Sequence, residues 1–235
     1  MRALTSSQAA TKVDETARET DQKRIDMAGP NYRWLLISLA VVGLSVDQVS
    51  KYGVFRWLYQ DGQFHDATGT GNKSTVVPGW FEFIAQFDRD TPPCDCAASG
   101  LQTWSAPMMP RVNHGALWGI GGSQKGSANL FFAAISLLAA GAILYWGTRG
   151  APAREKWLSA ALGLILGGTI GNFYDRIVFG GVRDFLHFIY IEWPVFNFAD
   201  CCLVVGAALL LIQAVFSPQP ATQPTPVAEP AKATA

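Results

Sequence analysis

Apolar residues in this chain collect into four blocks separated by polar stretches, and they follow neither strict alternation nor a simple amphipathic stripe. The blocks run from Tyr32 to Phe55, Ser127 to Trp146, Trp157 to Tyr174 and Val195 to Phe216. A helix needs about 20 mostly apolar residues to cross the hydrocarbon core of a bilayer. The second and fourth blocks reach that length outright, and the third does so with its ends included. The first reaches it only if its last turns carry Asp47, Gln48, Ser50 and Lys51. The pattern predicts an all-α membrane protein with four transmembrane helices.

The flanks of the blocks divide the chain. Residues 1–31 are polar and charge-mixed, with no apolar run ahead of a small-residue cleavage site, so they do not read as a secretory signal peptide. The first block is therefore expected to act as an uncleaved signal anchor. Residues 32–216 read as one membrane domain, with a long loop over 56–124. Residues 217–235 hold five prolines among Ala, Thr and Gln, from Pro218 to Pro230, and are expected to be a disordered tail. The composition is 49% hydrophobic and 15% charged, with 18 basic against 18 acidic residues. With no basic excess, nucleic acid is excluded as an expected partner.

Orientation follows from the short connections. Arg2, Lys12, Arg18, Lys23, Arg24 and Arg33 precede the first block, and Arg149, Arg154 and Lys156 crowd the link between the second and third. The positive-inside rule weighs short loops and helix flanks, so both termini are expected on the cytoplasmic side. Asp47, Lys51, Asn172, Asp175, Arg176, Asn197 and Asp200 then all fall at the opposite, extracytoplasmic interface, with Asp184 in the loop between. An ionisable group in hydrocarbon costs roughly 2.5–3.5 kcal/mol on insertion scales, so such a gathering points to a functional site.

Helical spacing sharpens this. Asn172, Asp175 and Arg176 stand at i, i+3 and i+4, and Asn197 and Asp200 at i, i+3, so each helix is expected to present an amide beside a carboxylate. Ser159, Gly163, Gly167 and Gly171 form a small-residue ladder suited to close packing, expected to draw the third and fourth helices together. Asp47 and Lys51 are spaced to pair with each other, and Asp175 has Arg176 or Lys51 within reach; these three are read as structural. Asp184 and Asp200 have no obvious local partner, Arg183 being expected to point elsewhere. Two unpaired carboxylates brought close share one proton, which supplies a general base and a general acid.

These residues stand in motifs. Asp47-Gln48-Val49-Ser50-Lys51, Asn113-His114-Gly115-Ala116-Leu117-Trp118-Gly119, Gly167 through Arg176, Val182-Arg183-Asp184-Phe185 and Phe196-Asn197-Phe198-Ala199-Asp200 resemble, in order, those of lipoprotein signal peptidase (signal peptidase II). The resemblance covers about Trp34 to Phe216. It implies an intramembrane aspartyl endopeptidase of the bacterial inner membrane. Such an enzyme cuts prolipoproteins just before a diacylglyceryl-modified cysteine, works without a cofactor, and is inhibited by globomycin. Asp184 and Asp200 match the family's catalytic dyad. Asn113, Gly115, Asn172, Arg176 and Asn197 match positions that line it and hold the substrate. The family fold adds a small extracytoplasmic sheet between the first two helices, and Thr75 to Phe87 has suitable β-branched and aromatic content. Partners implied are lipid-modified prolipoproteins and membrane lipids, with the protein itself expected to be a monomer.

Three features depart from the family pattern. His114 stands where a small or hydroxyl residue is expected, the stretch from Asp88 to Pro110 looks inserted, and the terminal arms are extra. Cys94 and Cys96 fall in the insertion. An oxidising compartment permits disulfides, but a bond across one residue is expected to be strained, and two thiols are too few for zinc. Cys201 and Cys202 read as small apolar groups, and His65, His114 and His187 show no metal-ligand spacing, so no metal is expected. The rival reading from another class, a proton- or ion-coupled transporter, predicts polar groups spread through the bilayer depth, often with inverted repeats.

Overall fold

The protein's structure, a computed structural model, describes residues 18, 30–115, 125–150, 152–191 and 193–216. The tail expected over 217–235 and nearly all of the arm expected over 1–31 lie outside the described residues. Among the described residues four helices are long and apolar enough to cross a membrane: α1 (Arg33–Tyr59), α2 (Lys125–Gly147), α3 (Lys156–Val178) and α4 (Phe198–Phe216). Helix α1 runs past the expected Phe55 because its last turns have something to bury against. Phe55 and Leu58 are almost fully covered, packing with Ala85, Phe87, Ala106 and Phe185. The helix then ends in a 3-10 turn, with Gln60 and Asp61 in left-handed backbone.

Helix α3 is the hub of the bundle, with buried positions on nearly every turn. Lipid offers no hydrophobic drive for helices to associate, so close backbone approach must do it. The small-residue ladder supplies that approach, but against α1, which corrects its expected partner. A Cβ on Gly163 would sit 2.6 Å from the Leu36 carbonyl oxygen, and one on Gly167 would sit 2.8 Å from that of Ala40. The face toward α4 is a different row. There Gly168 meets Ala199 and Leu203, while Gly206 of α4 meets Ala161 and Ile165. Helix α2, by contrast, leaves Leu130, Phe131, Leu137 and Leu138 exposed, as a lipid-facing helix should.

At one end of the bundle lies a small antiparallel sheet. Strands β1 (Gly71–Val77) and β2 (Phe81–Asp88) form a hairpin. The other edge of β2 is shared by β3 (Met109–Pro110) near Asp88 and β4 (Leu186–Phe188) near Phe81. The sheet is therefore not confined to the segment between the first two helices, since β4 comes from the α3–α4 connection. That strand is expected from neither length nor alternation. It forms because Phe188, His187 and Leu186 find Phe81, Glu82 and Phe83 opposite.

The insertion is folded over the same end. A one-turn helix, Ser99–Gln102, places the buried Gln102 side chain to donate to the Val178 carbonyl (2.6 Å) and accept from the Cys94 amide (2.8 Å). Cys94 and Cys96 are joined by a disulfide, as an oxidising compartment would permit.

Candidate active site

A buried ionic network ties α1 to the end of α3. Lys51 Nζ lies 2.8 Å from Asp47 Oδ2 and 3.3 Å from Asp175 Oδ2, and it donates to Asn172 Oδ1 at 3.1 Å. Asp47 Oδ1 accepts from the Ala199 amide at 2.9 Å, which fixes the first turn of α4. Both readings of Asp47–Lys51 as a pair and of Asp175 with Lys51 hold.

Arg183 is the member that sequence reasoning missed, since it was expected to point away. Its backbone amide, Nε and Nη2 all donate to the Asp175 carboxylate, at 2.9, 3.2 and 2.8 Å, and Nη2 also donates to Gln48 Oε1 at 2.9 Å. The guanidinium is sandwiched between Tyr52 and Phe179, 4.2 and 3.9 Å from their ring centroids. The available signal was that Asp175, near the end of a helix, is followed after a short turn by an arginine. Two carboxylates and two cations thus balance inside this network, and neither of its cations is left over for the next two acids.

Those acids are Asp184 and Asp200. Asp184 follows Arg183 directly and precedes Phe185, which is 2% exposed in the core under the sheet, so the backbone on both sides is pinned. Asn197 Nδ2 donates to Asp184 Oδ1 at 2.7 Å, and Asn113 Nδ2 donates to Oδ2 at 3.2 Å. Asn113 itself is fixed by paired backbone bonds to Val182, 2.8 Å in each direction. Asp200 Oδ1 accepts from Asn172 Nδ2 at 3.0 Å.

Asn197 and Asp200 also form a reciprocal cap. Asn197 Oδ1 accepts the Asp200 amide at 3.2 Å, and Asp200 Oδ2 accepts the Asn197 amide at 3.1 Å. This corrects the sequence reading in one respect: Asn197 precedes α4 rather than riding on it, in the role of a capping-box residue. One asparagine therefore holds both carboxylates, Asp184 through its side chain and Asp200 through its backbone.

Burial, and second the nearby charge of Asp200, pushes the Asp184 carboxyl up to about 7, although its two amide donors pull the other way. No described cation lies within ion-pair distance of either acid. A carboxylic acid kept neutral near pH 7 beside a second carboxylate can give a proton and take one.

Arg176 lies alongside, 9% exposed and without an ion pair among the described residues. It donates to the carbonyls of Asn172 (3.3 Å) and Gly115 (3.4 Å), while its Nε has no partner. Gly115 in turn donates its amide to Asn113 Oδ1 at 3.0 Å. Asp47, Lys51, Asn113, Asn172, Asp175, Arg176, Asp184, Asn197 and Asp200 thus fall into two adjoining clusters. His114 lies at the margin, its Nδ1 2.9 Å from the Gly180 carbonyl. Among the described residues no group of three His, Cys, Asp or Glu could hold a metal ion.

Comparison with known proteins gives consistent results. The family described as Signal peptidase (SPase) II matches residues 101–216. A lipoprotein signal peptidase of Rhodopirellula baltica is 36% identical over 193 residues, covering 76% of this chain and 70% of that one. One from Pseudoalteromonas translucida is 43% identical over 110 residues, covering 46% and 66% respectively. A solved bacterial membrane enzyme structure shares the fold with a TM-score of 0.57 at 24% identity, covering 80% of this chain and 91% of that one.

Proposed function

Because this chain belongs to the lipoprotein signal peptidase (signal peptidase II) family, whose members remove signal peptides from prolipoproteins in the bacterial inner membrane, we propose that it is an aspartic endopeptidase with Asp184 and Asp200 as its dyad. Cleavage falls just before the diacylglyceryl-modified cysteine. The observation that carries this reading is that two adjacent carboxylates are held by three asparagines, while every nearby cation but Arg176 is spent on other acids.

The pair shares one proton, Asp184 acting as the general acid and Asp200 as the general base. Asp200 takes a proton from water as the oxygen attacks the scissile carbonyl carbon, and Asp184 gives its proton to the carbonyl oxygen. Collapse of the tetrahedral intermediate returns that proton to Asp184, while Asp200 passes its own to the leaving nitrogen. Asn113, Asn172 and Asn197 keep the carboxylates aimed throughout. Arg176 and Gly115 hold the substrate backbone, Arg176 through donors its present partners do not fill. The 32–216 domain works as a monomer with both termini cytoplasmic and the site at the outer face.

The test is cleavage of a lipid-modified prolipoprotein by purified protein in detergent, free of ion gradients and ATP. Asp184→Asn and Asp200→Asn should each abolish it while the variants stay folded and inserted. Near wild-type cleavage by either would refute the dyad. Cleavage should withstand chelators and thiol-blocking reagents and be stopped by globomycin. Robust ion flux with no cleavage would favour the transporter reading instead.

A further inference from the structure

The far tip of the sheet is apolar and uncovered. The β1–β2 turn region, Val76 through Phe81, reads Val-Val-Pro-Gly-Trp-Phe, and the segment from the last residue of β4 onward reads Phe-Ile-Tyr-Ile over 188–191, without one charge between them. Val76, Val77, Trp80, Phe188, Tyr190 and Ile191 are all exposed, Trp80 at 57% and Tyr190 at 68%. The two segments are joined rather than merely adjacent. The Trp80 and Tyr190 rings stack with centroids 4.4 Å apart, and the Ile189 amide donates to the Trp80 carbonyl at 2.9 Å. An exposed apolar patch of joined aromatic residues marks a surface that meets something other than water.

What covers it follows from where the patch leads. Beyond Tyr190 the chain turns back, pairs Phe196 with Leu186, and enters α4 at Phe198, so the segment that carries the patch leads on into a spanning helix. On its other side Phe83 of β2 meets Trp57, itself 54% exposed near the end of α1, with ring centroids 6.0 Å apart. The patch is thus tied to two spanning helices, to α4 along the chain and to α1 through the Phe83–Trp57 contact. Trp and Tyr at such a border favour the headgroup level, where an amphipathic ring keeps its polar atom wet.

We propose that this tip is a membrane-surface anchor: Trp80, Tyr190 and their apolar neighbours sit in the interfacial layer of the leaflet at the sheet end of the bundle. The inference rests on the four spans and not on the proposed activity. It also gives the anchor a route to the acids. Phe188 stacks on Phe196 at 5.3 Å, beside Asn197, and Phe83 stacks on Phe185 at 6.3 Å, beside Asp184. The depth of the tip in the leaflet therefore sets the height of Asp184 and Asn197 relative to the lipid.

The experiment reconstitutes the full chain into phosphatidylcholine and phosphatidylglycerol vesicles doped with a phospholipid bearing a diazirine on its acyl chain. After photolysis, adducts are mapped by peptide mass spectrometry. Adducts on both 76–81 and 188–191, besides those on α2 and α4, are expected. Trp80→Ser combined with Tyr190→Ser should lose them from both segments while α2 labelling and thermal stability stay unchanged. Adducts confined to the helices, with both segments labelled instead by a water-soluble diazirine, would overturn the proposal. So would cross-links from the tip to a second copy of the chain, or wild-type tip labelling in the double variant.

Discussion

Asp175 and Asp184 are close in sequence and separated by a single turn, yet their surroundings are opposite. Asp175 receives Lys51 and Arg183, whereas Asp184 receives only amides. The same substitution should therefore have opposite consequences. Asp175→Asn strands the buried Arg183 and leaves Lys51 with Asp47 alone; removing one partner of a buried pair costs about 3–5 kcal/mol, so a large drop in thermal midpoint in detergent is expected. Asp184→Asn should not destabilise. The folded state raises the Asp184 carboxyl from 3.8 to about 7, so it favours the neutral form. Wild-type stability should then fall as pH rises from about 4 to 7, while the amide variant, which cannot ionise, is spared that loss. Thermal unfolding at pH 4.5 and pH 8 compares the two; an equal pH response would contradict the raised value. For cleavage the sign is the same. The dyad needs one proton, and it loses that proton as pH rises through about 7. The rate should drop by about tenfold per pH unit well above that point, and a rate flat to pH 9 would reject Asp184 as the proton carrier.

At the scale of elements, the bundle depends on which glycines face a backbone. Gly163 of α3 has the Leu36 carbonyl where a Cβ would go, whereas Gly141 of α2 has nothing within 4 Å. Gly163→Val should force α1 and α3 apart and cost about 1–3 kcal/mol, as overpacking does. Gly141→Ala should be neutral or slightly stabilising, because alanine is the better helix former. Thermal midpoints of the pair in one detergent decide it; similar losses in both would mean that helix propensity, not packing, governs the ladder. The start of α4 makes a second case. Asn197→Ala removes a cap worth about 1 kcal/mol, but it also releases Asp184. Cleavage should fall by far more than the small loss of stability implies, and a fall in proportion would leave Asn197 as a cap alone.

The whole molecule places its acids at the end of the bundle where the sheet sits, beside the ends of α1 and α3 and the start of α4. A diacylglyceryl group is drawn into the lipid, since each buried methylene is worth about 0.8 kcal/mol, and so it holds the modified cysteine at the interface. Two acyl chains anchor a substrate more firmly than a few side-chain contacts can. An unmodified prolipoprotein should therefore be a poor substrate even with its cleavage sequence intact. A gel-shift assay on one prolipoprotein before and after diacylglyceryl transfer measures this, and equal rates would remove lipid anchoring from the account.

Span number and the gathering of polar residues near the ends of the helices were legible from the chain because each rests on local information. Block length fixes a helix in lipid, and a carboxylate without a neighbouring cation is visible as a pattern. Even the cap was encoded locally, in the three-residue spacing of Asn197 and Asp200. What only the tertiary structure decided is which groups meet across distance. Lys51 chose both Asp47 and Asp175, and Arg183 turned inward onto Asp175 and between two rings. The glycine ladder met α1 rather than α4. Strand β4 was likewise unreadable, since three residues carry no periodicity and pair only because β2 lies open beside them. Such choices depend on burial, where a charge must find its partner wherever the fold brings one, and sequence spacing alone does not record that.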